Sequence, residues 1–258
     1  MLTCLSEFVG TALLVAVGLS IVIGINGTGS PFLSWIPGAG PRRALTGALF
    51  GTTGCLIALS PIGKISGAHI NPIVSIAFGL KGKMKFNHVL GFVIAQMAGA
   101  LAGACTLLPW NRQGASIRFG ATEPGPAGIL PAFAGETITS FLLIAGILFF
   151  TGHRRFRRWT PYLMPFLYCF MVYAEGNLSG TSTNPARSFG PAVISGCWNS
   201  YGLYWAAPLT GMLMALVLFK MPLFRNWKTI IPKINQSGKG SKLFQGQGPV
   251  QTTGPGDL

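Results

Sequence analysis

The chain has 258 residues, with 19 Lys and Arg against 5 Asp and Glu and a formal net charge of +14. Half of it is hydrophobic and only 9% is charged, with a mean hydropathy of +0.52. These figures exclude a soluble globular domain and describe an integral membrane protein, so the basic excess is read by its position along the chain and not as affinity for nucleic acid.

Apolar runs that can cross a bilayer extend from about Leu5 to Ile25, Ala44 to Gly63, His88 to Pro109, Gly128 to Thr151, Pro161 to Glu175 and Tyr201 to Met221. A span needs about 20 residues, so the fifth is expected to extend at one end. Glu7 interrupts the start of the first run, and no basic stretch precedes it, which argues against a signal peptide. Two further apolar pieces, Ile73 to Leu80 and Ala186 to Gly196, are too short to cross, and each follows an Asn-Pro. Proline suits the first turn of a helix, where its missing N–H has no partner in any case. Each piece therefore reads as a re-entrant half-helix.

Basic residues set the orientation. With the termini, the loop after the first half-helix and the loop after span four on one side, the other side keeps only Arg42, Arg43, Arg112, Arg118 and Arg187. The termini are then cytoplasmic. The cluster His153 to Arg158 reads as a topology anchor, with a lipid-binding patch or a gate as the alternatives. The chain from 223 to 258, basic and then rich in Gly and Gln, reads as a disordered tail. Cys4, Cys55, Cys105, Cys169 and Cys197 show no metal spacing and no paired framework, and are expected as small core residues. No metal or cofactor is expected.

The chain also repeats itself. Glu7-Phe8-Val9-Gly10-Thr11 opens span one and Glu136-Thr137-Ile138-Thr139-Ser140 lies early in span four; each is followed by two spans with an Asn-Pro half-helix between them. Three spans per unit is odd, so the second unit is inverted, and one transmembrane domain over 1–222 is built from repeats of about 1–109 and 128–222. Paired interruptions in inverted halves point to a site at the membrane midplane. Non-helical backbone survives at that depth only when buried in protein or lining a wet cavity. The two stretches concerned are Ser66-Gly67-Ala68-His69-Ile70-Asn71-Pro72-Ile73 and Ser179-Gly180-Thr181-Ser182-Thr183-Asn184-Pro185-Ala186-Arg187-Ser188. If the half-helices enter from opposite faces, their positive N-termini meet and repel cations, and the Asn71 and Asn184 amides can donate to a passing oxygen. For either Asn-Pro alone, simple capping of its helix is the favoured reading, and the duplicated context reverses this. Arg187, a charge deep in the bilayer, is expected to face a cavity.

This layout, with Asn184-Pro185-Ala186-Arg187 in its second copy, resembles the aquaporin or major intrinsic protein family over roughly Leu5 to Met221. The resemblance implies an all-α membrane protein of six transmembrane helices plus two re-entrant half-helices. It implies a passive channel, not an enzyme, assembled as a homotetramer with a pore in each copy. Its partners would be water, small neutral solutes and membrane lipid, with no nucleic acid. A bacterial inner membrane is the expected location. The pore midplane would be Asn71, Pro72, Ile73, Asn184, Pro185 and Ala186. Glu7 and Glu136 would accept hydrogen bonds from the half-helix loops, with proton coupling in a secondary transporter as the other reading. His69 would brace a loop, Gln96 would bond a loop carbonyl, and Glu175 would hold the second loop or partly neutralise Arg187.

Four positions form the outer constriction in that family. Thr181 and Arg187 follow from the second motif, and counting back from the two asparagines gives Gly51 and Val172. Water-selective members usually have an aromatic and a His there, so a wide, less polar opening is expected, passing water and with room for glycerol, urea or a neutral metalloid acid. Glycerol-conducting members commonly carry Asp after the Arg, where this chain has Ser188. Ile73 replaces the usual Ala; it packs sideways against the spans or narrows the midplane. Gly47, Gly51, Gly54, Gly99 and Gly103 are expected at close helix contacts.

Overall fold

The computed structural model describes residues 1–221 and Phe224; the expected tail of 223–258 lies, apart from Phe224, outside the described residues. Its α-helices are α1 (Leu2–Asn26), α2 (Phe32–Trp35), α3 (Ala39–Leu59), α4 (Pro61–Ser66), α5 (Pro72–Leu80), α6 (Phe86–Cys105), α7 (Asn111–Ala115), α8 (Ile129–Thr151), α9 (Thr160–Glu175), α10 (Pro185–Ser195) and α11 (Leu203–Leu218). No strand occurs among the described residues. Helices α1, α3, α6, α8, α9 and α11 occupy the six apolar runs, and α5 and α10 the two short pieces.

Three stretches, Leu2–Asn26, Phe86–Ala115 and Ile129–Thr151, have the length and hydropathy of membrane spans by themselves. Span five does not extend as expected: Pro161 takes the first turn of α9, Gly176 caps its end, and the helix has 16 residues. At 1.5 Å per residue that is about 24 Å, shorter than the hydrocarbon core. Span two also ends early. After Leu59, Ser60 turns the chain and its Oγ accepts from Gly63 N at 3.1 Å, capping α4.

Missing side chains let helix pairs approach closely. A Cβ at Gly99 or Gly103 of α6 would lie 2.2 Å from Phe8 O and 2.3 Å from Ala12 O of α1. In the second repeat, a Cβ at Gly211 of α11 would lie 2.2 Å from Thr137 O of α8. Phe8 follows Glu7 and Thr137 follows Glu136, so each repeat uses the same contact to seat its buried carboxylate. Across the repeats, Gly47 and Gly51 of α3 bring it onto α9, where their Cβ atoms would lie 2.3 Å from Tyr168 O and 2.4 Å from Met164 O. Gly54 makes no such contact, its nearest neighbour being Leu14 Cδ1 at 3.9 Å.

Burial is arranged for lipid outside and polar groups inside. Leu13, Val17, Ile94, Ile138, Phe166 and Leu213 are exposed, whereas Glu7, Ser66, Gln96, Glu136, Ser179 and Thr183 have no accessible surface. The expectation of core cysteines holds only for Cys55; Cys105 is exposed, and the other three are half-buried on helix surfaces and loop ends where lipid or solvent reaches them.

Candidate functional site

Both re-entrant loops follow one backbone pattern, counted back from the asparagine. Gly67 and Gly180 have φ of 93° and 82°, Ala68 and Thr181 have 50° and 52°, and Ile70 and Thr183 have 42° and 52°. Left-handed backbone at β-branched residues costs of order 1–3 kcal/mol each and persists only where surrounding contacts impose it. The imposing contacts are carboxylates. Glu7 Oε1 accepts from His69 N at 2.9 Å and its Oε2 from Ile70 N at 2.6 Å; Glu136 Oε1 accepts from Ser182 N at 2.5 Å and its Oε2 from Thr183 N at 2.8 Å. Serines close the turns, Ser66 Oγ accepting from Ala68 N at 3.2 Å and Ser179 Oγ from Thr181 N at 3.1 Å.

The asparagines use both ends of their amides. Asn71 Oδ1 caps α5 by accepting from Ile73 N at 2.9 Å, and Asn184 Oδ1 caps α10 by accepting from Ala186 N at 3.0 Å. Asn71 Nδ2 then donates to Thr183 O, and Asn184 Nδ2 to Ile70 O, each at 2.9 Å. Each asparagine therefore ties its loop to the other, 112 and 114 residues distant in sequence. An amide nitrogen carries two hydrogens, so one N–H on each remains after this tie. Both residues line an inner cavity of about 100 Å³ with His69, Ile70, Val74 and Phe78. Capping and pore lining are thus not alternatives, because they use different atoms.

Supporting residues fall around the loops. Gln96 Nε2 donates to Glu7 Oε2 at 2.7 Å and to Ser75 Oγ at 2.9 Å, in place of the expected loop carbonyl; a carboxylate is the stronger acceptor and lies on the adjacent α1. His69 Nδ1 pairs with Ser75 Oγ at 3.1 Å, and its Nε2 is buried without a protein partner. Glu175 accepts from Ser179 Oγ and Thr181 Oγ1, so it holds the second loop. Arg187 instead donates from Nη1 to Gly120 O at 2.6 Å, and its guanidinium lies 5.9 Å from the centre of the Phe50 ring. Ile73 is fully buried against Ile144, Leu148 and Met212, sideways from the cavity, and Pro72, Pro185 and Ala186 form the first turns of α5 and α10.

An outer cavity of about 260 Å³ is lined by Arg187, Thr181 and Val172, together with Asn26, Arg43, Thr46 and Thr122. Gly51 is not among its lining residues. It faces the inner cavity, pressed on the Met164–Pro165 backbone. Phe50 and Tyr168 line both cavities, and their rings pack against each other there with centres 5.6 Å apart. The Tyr168 hydroxyl is 2.9 Å from Thr183 Oγ1, which fixes its ring beside the second loop. Counting from Asn71 selected a position one residue past the aromatic, because spacing carries no information on helix rotation. Tyr168 left no motif signal, although an aromatic with a polar tip on a short apolar span was legible.

A bundle of inverted halves whose polar loops meet between two cavities defines a membrane channel. The chain matches the family model described as Major intrinsic protein over residues 1–219, and it belongs to that family. It is 30% identical over 236 residues to Aquaporin AqpM of Methanothermobacter marburgensis, covering 84% of this chain and 95% of that protein. It is 29% identical to Aquaporin-8 of Mus musculus, covering 84% of this chain and 80% of the other. The aquaglyceroporin structure from Plasmodium falciparum superposes with a TM-score of 0.68 at 20% identity, covering 86% and 96% of the two chains, and shares the fold. Family members are passive channels, and this chain is a channel and not an enzyme.

Proposed function

We propose that the protein conducts water passively along a path from the outer cavity, past the Phe50–Tyr168 neck, to the inner cavity at Asn71 and Asn184, while excluding cations and protons. The reciprocal amide ties carry this reading, since they leave one N–H on each asparagine beside the inner cavity. A water accepting from both turns its own hydrogens outward and interrupts a proton wire. The N-termini of α5 and α10, each with about half a positive charge, and Arg187 at the outer end oppose cations. The inner cavity, with about 100 Å³ of space for water centres, has room for several waters. In this reading the repeats of about 1–109 and 128–222 form one channel domain. Four copies assemble in a cell membrane, a bacterial inner membrane by the sequence reading, with cytoplasmic termini.

Solute choice follows from the neck and not from an opening at Gly51. Two rings leave less width than a glycine and a valine, so water passes more readily than glycerol, urea or a neutral metalloid acid. Proteoliposomes in a stopped-flow instrument test this with water, glycerol and urea gradients. Swelling well above that of empty liposomes is expected, unchanged when the proton gradient is collapsed. No increase over empty liposomes would sink the channel reading, and dependence on the proton gradient would favour coupled transport. Phe50→Ala with Tyr168→Ala should raise glycerol flux about tenfold or more and water flux far less; equal changes would remove the neck as the filter. Substitution at Gly51 is unsuited to this question, because a Cβ there already meets backbone at 2.4 Å.

A further inference from the structure

Two arginines, Arg43 and Arg187, line the outer cavity, and among the described residues no carboxylate does. Its nearest acids are engaged elsewhere. Glu136 and Glu175 accept from Ser179, Thr181, Ser182 and Thr183, behind the second loop, and Glu123 pairs with Arg118 and accepts from Asn199 Nδ2 at 3.1 Å. Among the described residues Arg187 has one hydrogen-bond acceptor for its guanidinium, Gly120 O. Arg43 lines the same cavity. A planar guanidinium fork matches a carboxylate better than it matches a single water. Hydroxyl and amide donors at Thr46, Thr122 and Asn26 line the same space.

We propose that this outer cavity is a binding site for a small carboxylate anion of the size of formate or acetate, held between Arg43 and Arg187, and that the bound anion reversibly blocks the pore. The anion enters because the cavity is positive and open on its outer side. It goes no further because the next step is the aromatic neck, where it would lose both its water and its guanidinium partners. The blocking half of the inference rests on the channel reading above; the binding half does not.

Two measurements separate these halves. In detergent, potassium formate at pH 7.5 is compared with potassium chloride at equal ionic strength. A ligand that binds only the folded protein raises its apparent melting temperature with concentration. A formate-specific rise that Arg43→Gln abolishes is expected, and an equal rise with chloride, no rise, or the same rise in Arg43→Gln overturns the site. In proteoliposomes with formate equal on both sides, water flux through the wild type should fall with formate, and Arg43→Gln should raise the half-inhibiting concentration at least tenfold. Formate-insensitive flux through a conducting wild type overturns the block. A wild type that conducts nothing counts against the proposed function, while the melting measurement still decides the site. If Arg43→Gln does not fold, Arg43→Lys, which keeps the charge and loses the fork, is read in its place. It should weaken the formate effect about threefold or more, and an unweakened effect overturns the site.

Discussion

Glu136 holds the second loop from outside it by three hydrogen bonds. Its oxygens accept from Ser182 N and Thr183 N at 2.5 and 2.8 Å and from Ser179 Oγ at 2.6 Å. Gln has one acceptor oxygen where Glu has two, so Glu136→Gln leaves a buried backbone N–H without its acceptor and turns an NH₂ group toward another donor. A loss of about 1–3 kcal/mol is expected. It should appear as a lower apparent melting temperature in detergent, with water flux reduced because Thr183 O, the acceptor for Asn71, belongs to the same loop. Glu7→Gln should be milder where Gln96 can turn its free oxygen toward the new amide, since Gln96 Oε1 has no partner. Equal stability of both variants and the wild type would mean that the carboxylates do not impose the strained backbone.

At the scale of elements, glycine decides which helices touch and therefore which side chains are left for the pore. Gly99 and Gly211 seat α6 on α1 and α11 on α8, each against a carbonyl within 2.3 Å of a built Cβ. Gly99→Leu or Gly211→Leu must separate the pair, and overpacking of this kind costs about 1–3 kcal/mol or more. Loss of a monodisperse peak in size-exclusion chromatography is the expected readout. Gly54→Ala should behave as wild type in the same assay, because its Cβ meets only Leu14 Cδ1 at 3.9 Å. Failure of all three variants alike would show that these glycines are needed for something other than interhelical approach. The half-helices obey a different rule. Their asparagine caps and first-turn prolines were readable locally, whereas the cross-ties that join them could not be read from either segment alone.

For the molecule as a whole, the asymmetry of basic residues along the chain predicts one orientation in the membrane. Cys197, beyond the end of α10 and within 3.6 Å of Arg118, then lies at the outer face, and Cys4, near the start of α1, at the inner one. In a Cys105→Ser background, a membrane-impermeant maleimide added to intact cells should label Cys197 and not Cys4. Burial, with Glu123 adding to it, pushes the Cys197 thiol above its usual value. The reactive thiolate is therefore scarce at neutral pH, and labelling should accelerate as the pH is raised. Labelling of Cys4 in place of Cys197 would reverse the orientation. Native mass spectrometry from a mild detergent should give the mass of four copies, as the family resemblance implies.

Composition and hydropathy determined the membrane class, because exposing charged groups to lipid is so costly that six long apolar runs with so few charges have little other choice. Duplicated Asn-Pro segments determined the half-helices and their opposed entry, since capping and first-turn chemistry act over a few residues. What the tertiary structure alone decided was rotation. An α-helix turns about 100° per residue, so Phe50 and Gly51 cannot share a direction. The backbone of α9 takes up the Gly47 and Gly51 side of α3 because only a glycine admits a carbonyl so close. Phe50 is thereby turned, with Tyr168, to the place where the two cavities meet, and Gly51, which counting along the sequence had put at the outer constriction, lines only the inner one.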